Sequence, residues 1–166
     1  ADLMQSLGEW LAGVKAEGKR YGDPELNAAT LAGEVDAGAI SRFRNLVHEC
    51  GNDEQQFAEF LGEFLSRYRL AHEPAAPGRN YDSADLQSAL REGSVLRHNP
   101  WTRLLWLETA TGANLFAAGA NYSCKPQIAA AICDPLQLER LSADLTTAES
   151  ELVCALLNDG HLYLES

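Results

Sequence analysis

The chain is short of basic residues. Its 166 residues hold 13 Lys and Arg against 24 Asp and Glu, a formal charge of -11. Phosphate neutralisation needs Lys and Arg, so nucleic acid is not the expected partner. A basic protein surface complements this charge better. Long apolar runs are also missing: nothing approaches the ~20 residues that cross a bilayer as a helix, so no membrane partner is expected. Cysteine occurs only at Cys50, Cys124, Cys133 and Cys154, never as CxxC. That removes the usual zinc-ribbon and thioredoxin-type patterns, and four cysteines in a chain of this length do not make a disulfide scaffold. Cys50, Cys133 and Cys154 lie in apolar helical patterns and read as reduced core thiols of a cytoplasmic protein. The first ten residues carry two acids and no basic residue, so no secretory leader is expected. The chain begins at Ala1 without an initiator Met, which leads us to expect a part of something longer.

The patterns of familiar active sites are equally scarce. None of His48, His72, His98 and His161 opens a His-x-Asp or His-x-Glu triplet, and HExxH does not occur. The two-histidine, one-carboxylate set of a non-haem iron centre therefore lacks its usual triplet. The histidines read as solvated or locally hydrogen-bonded. There is no GxSxG, GxxxxGK[ST] or GxGxxG. Gly112-Ala113-Asn114 and Gly119-Ala120-Asn121 are explained by a hairpin turn and a strand end. We expect no catalytic, cofactor-binding or metal-ligating residue in this chain.

What is present is a globular composition, 46% hydrophobic and 22% charged, enough for one ordinary domain or two small ones. Leu3, Leu7, Trp10, Leu11 and Val14 share one helical face. A second helix is predicted over residues 36–50, with Ile40, Phe43, Val47 and Cys50 on its apolar side, after an irregular loop over 25–35. Asn52 or Asp53 can cap a third helix, with Gln55 or Gln56 placed for a capping box. That helix carries Phe57, Phe60, Leu61, Phe64, Leu65 and Tyr68. Residues 71–80, AHEPAAPGRN, cannot hold a helix and read as a linker. They divide a helical domain over 1–75 from a second domain over 76–166.

The second half mixes helix and strand. Asp82 or Ser83 caps a short helix that ends at Gly93, and residues 94–99 read as a strand stopped by Pro100. Residues 103–109 and 114–118 read as a hairpin about Thr111-Gly112, broken by Gly119. Pro126 opens a helix with Ile128 and Ile132 that Asp134-Pro135 closes. Leu136, Leu138 and Leu141 form a short segment, and Thr146 with Glu149 has capping-box spacing before a further helix. Asn158-Asp159-Gly160 stops that helix, and residues 161–165 alternate as a last strand. The predicted fold class is α+β: a helical bundle, then a winged-helix-like domain with a small antiparallel sheet.

Winged helices often bind DNA through a helix bearing Arg, Lys, Asn or Gln. Here that helix, residues 126–133, has one Gln and no cation. Arg91, Arg97, His98 and Arg103 near the hairpin read as scattered surface charge, so DNA is not expected. The aromatic stripe is more apolar surface than a three-helix subdomain readily covers. It fits either an internal core or a homodimer interface, where aromatics are enriched. Trp10, Phe57, Phe60 and Phe64 are the candidate dimer contacts.

Three stretches carry a resemblance. Arg20-Tyr21-Gly22-Asp23-Pro24-Glu25-Leu26 with Gly33-Glu34-Val35 is the first, and Phe60-Leu61-Gly62-Glu63-Phe64-Leu65-Ser66 the second. The third is Leu96-Arg97-His98-Asn99-Pro100 with Arg103, followed by Leu115-Phe116-Ala117-Ala118-Gly119. In this order they resemble the C-terminal region of bacterial JmjC-type (cupin-4) ribosomal oxygenases, the third stretch matching their wing strands. Ala32 stands where that family has Pro. The resemblance implies a helical dimerisation domain and a winged helix from an Fe(II)- and 2-oxoglutarate-dependent dioxygenase that hydroxylates an arginine of a ribosomal protein. In that family the iron and 2-oxoglutarate ligands precede this region, so the resemblance places no catalytic residue, and no cofactor, on this chain. It implies a homodimer with a basic ribosomal protein as substrate. A stand-alone acidic winged-helix module or regulator is the alternative.

Overall fold

The computed structural model describes residues 3–15, 38, 40–41, 44–45, 53–67 and 76–165. The expected loop over 25–35, the first resembling stretch, Tyr68 and most of the expected linker lie outside them. So does most of the expected 36–50 helix. Its described residues, Gly38, Ile40, Ser41, Arg44 and Asn45, are helical. Ile40 is 50% exposed, while Phe43, Val47 and Cys50 lie outside the described residues.

The chain forms two compact units, Ala1–Phe60 and Leu61–Ser166. Helix α1 (Leu3–Lys15) belongs to the first. Helix α2 (Glu54–Arg67) begins in the first and ends in the second. Asp53 caps α2: its carboxylate accepts the Gln56 N–H at 3.0 Å and the Gln56 side-chain amide at 2.8 Å. This is half of a capping box, because the Gln56 amide turns to the carboxylate rather than to the backbone.

The second unit is built on α3 (Ser83–Arg91), β1 (Val95–His98), β2 (Leu104–Thr109), β3 (Gly112–Ala117), β4 (Ala120–Cys124), α4 (Pro126–Cys133), α5 (Pro135–Leu138), α6 (Thr147–Asn158) and β5 (Leu162–Glu165). Its helix starts follow local chemistry. Asp82 with Asp85, and Thr146 with Glu149, make reciprocal capping boxes on α3 and α6. Pro126 stands in the first turn of α4, where a missing N–H costs nothing. Asp134 ends α4, and its side chain accepts from the Leu136 and Gln137 amides that open α5.

The expected α+β class is what the structure has, but the single small sheet is two. β2, β3 and β4 form an antiparallel meander, and β1 pairs antiparallel with β5, across more than sixty residues of chain. The Leu96–Pro100 stretch read as a wing strand therefore lies outside the wing sheet. The wing also has one strand more than predicted. Residues 120–124 carry no run of β-branched residues, and the signal for their strand is the turn before them. Ala118 at φ 49° and Gly119 at φ 89° are both left-handed, the conformation that a two-residue hairpin turn requires.

The meander is covered on both faces. Leu104, Leu115, Ala117, Tyr122 and Cys124 lie in or against a core shared with α3, α4, α6 and the β1–β5 pair, in which Leu86, Ile132, Val153 and Leu156 are fully buried. On the opposite face Phe116 is 1% exposed. Gly62 of α2 closes over its ring. Burying such a side chain stabilises by about 1.5–3 kcal/mol.

Candidate interaction surfaces

In the first unit Trp10 of α1 meets two rings of α2. The Trp10 and Phe60 centroids are 5.0 Å apart, with planes tilted by 30°. Trp10 and Phe57 are 6.2 Å apart, edge to face at 67°. Phe57 and Phe60 are also 6.2 Å apart. Helical spacing accounts for this: Phe57 and Phe60 are three residues apart and project to one side of α2. Aromatic pairs in these arrangements contribute ~0.5–1.5 kcal/mol beyond area burial. The four candidate contacts are not equally available to a partner. Phe60 and Phe64 are 7% and 9% exposed within the single chain, whereas Trp10 and Phe57 are half-buried. Leu3 of the predicted apolar face is 44% exposed, and Met4, which sequence reading missed, adds apolar surface to α1 at 70% exposed. The available signal was its spacing, three and seven residues before Leu7 and Leu11.

In the second unit the end of α2 is tied to the wing. The Ser66 hydroxyl accepts the Gly119 N–H at 2.9 Å and donates to the Glu63 carbonyl at 3.0 Å. Gly62 and Ser66, both in the second resembling stretch, are one helical turn apart and present small side chains to β3 and the β3–β4 turn. Neither was singled out from sequence, and their spacing by four was the available signal.

Two cations of the winged-helix half, Arg97 and Lys125, are engaged within the fold. In α4, Ile128, Ala129 and Ile132 are buried. Lys125, just before it, lies 3.6 Å from Glu149. Arg97 is held between Glu139 and Glu165, so its charge is engaged within the fold, while Arg91 and Arg103 are exposed. His98 Nε2 donates to the Ile132 carbonyl. His161, 4% exposed, has its Nδ1 3.3 Å from the Thr102 hydroxyl, and its ring meets Tyr122 edge to face. Burial lowers the His161 pKa, with Asp159 opposing. Burial also raises that of Tyr122, whose hydroxyl donates to Asp159 at 2.7 Å. His48 and His72 lie outside the described residues.

Cys124, Cys133 and Cys154 are free thiols. Burial pushes Cys133 up to about 11, with Cys124 adding to the effect, and raises Cys124 and Cys154 as well. None is poised as a thiolate nucleophile. Among the described residues no group of three or more His, Cys, Asp or Glu side chains could hold a metal ion. With the rings of His98 and His161 engaged as above, the described residues do not fit an iron centre. No described helix is long and apolar enough to cross a membrane.

Comparison with known proteins agrees with this architecture. The ribosomal protein uL16 3-hydroxylase of Escherichia coli strain K12 is 23% identical over 176 residues, which cover 99% of this chain and 44% of that protein. An X-ray structure of E. coli YcfD superposes with a TM-score of 0.79 at 20% identity, covering 98% of this chain and 44% of that one. A second structure, of YcfD as a ribosomal oxygenase in complex with cobalt and 2-oxoglutarate, gives 0.76 at 20% identity over 99% and 45% of the two chains. This chain thus spans less than half the length of these relatives and resembles their C-terminal portion. Residues 45–163 match the ROXA-like winged helix, and the chain belongs to that family.

Proposed function

We propose that this chain is the non-catalytic, dimerising and substrate-presenting region of an Fe(II)- and 2-oxoglutarate-dependent ribosomal protein hydroxylase acting in the cytoplasm. Residues 1–75 supply the dimer contacts and residues 76–166 the winged helix. The observation that carries the dimer is the state of α1. It holds Leu3, Met4, Leu7, Trp10 and Leu11, yet none of its residues 3–13 is buried in the single chain. An amphipathic helix draws its stability from covering its apolar face. A second copy covers it symmetrically.

The substrate side rests on two features. The relative just described is named for hydroxylating ribosomal protein uL16, and the charge of -11 suits a basic partner. Iron and 2-oxoglutarate chemistry belongs to residues outside those described here, and the proposed part for this chain is to hold and orient.

Sedimentation equilibrium at about 100 µM tests the dimer, since any affinity tighter than about -6 kcal/mol registers there. The chain should sediment as a dimer, and Leu3→Glu with Met4→Glu should return it to monomer with its fold intact. A stable monomer of the unmutated chain removes the reading.

A further inference from the structure

We draw no further inference here: the strongest candidate, the cleft of about 170 Å³ between β5 and the Pro77–Tyr81 segment, carries nothing, because its Leu162 wall is only 2% exposed and nothing in the structure shows what occupies it.

Discussion

Gly62 of α2 and Phe116 of β3 occupy one packing site: a Cβ on Gly62 would stand 2.4 Å from Cε2 of the Phe116 ring. The ring is 1% exposed and has nowhere to move without displacing its neighbours. Glycine in a helix interior costs about 1 kcal/mol relative to alanine. The chain tolerates that cost because the helix then rests on the aromatic face of the sheet. Gly62→Ala should destabilise by about 1–3 kcal/mol from overpacking, partly offset by the gain in helix propensity. Adding Phe116→Leu should recover part of the loss, so that urea titration of the double-mutant cycle gives a non-additive total. Strict additivity would show that the two residues do not share a site.

Ser66 is fully buried and satisfies the Gly119 amide. Ser66→Ala strands that N–H at the β3–β4 turn, which should cost about 1–3 kcal/mol. Hydrogen exchange offers a local readout, since the Gly119 amide should lose protection more than its neighbours do. Unchanged protection at Gly119 would mean that the bond contributes nothing there.

Ser150 is also fully buried, but its hydroxyl has no hydrogen-bond partner among the described residues. An unpaired buried hydroxyl carries a desolvation penalty with no return. Ser150→Ala should therefore be neutral or stabilising by up to about 1 kcal/mol. A loss beyond about 1 kcal/mol in thermal or urea unfolding would contradict this.

His161 sets a pH dependence. Its folded-state pKa is lowered by burial, so the unfolded chain takes up the proton more readily. The stability it contributes is complete above the unfolded value of about 6.5 and is lost as pH falls through the folded value. Unfolding free energy should drop between about pH 7 and 5, and His161→Gln should flatten that segment of the profile. Equal slopes for the two proteins would remove His161 as the cause.

The Asn158 amide holds the segment before α3 by two bonds to the backbone of Tyr81. Asn158→Asp keeps the shape but places a carboxylate against the Tyr81 carbonyl, which can only accept. It should be less stable than Asn158→Leu, because two acceptors face each other. Equal stabilities would show that geometry rather than hydrogen bonding fixes the segment.

What this sequence by itself determined is local. The caps at Asp82 and Thr146, the opening of α4 at Pro126 and the stops before Gly93 and Gly160 depend on groups within four residues of one another, and they were legible in that order. The apolar period put Phe57 and Phe60 on one side of α2 for the same reason, whereas their meeting with Trp10 of α1 is tertiary. Tertiary structure alone decided the rest. That β1 pairs with β5 rather than with the wing, that Phe60 and Phe64 are buried within the chain, and that Arg97 is held by two carboxylates all depend on residues far apart in sequence. β4 was hidden because its strand follows from a left-handed turn at Ala118 and Gly119 rather than from its own side chains.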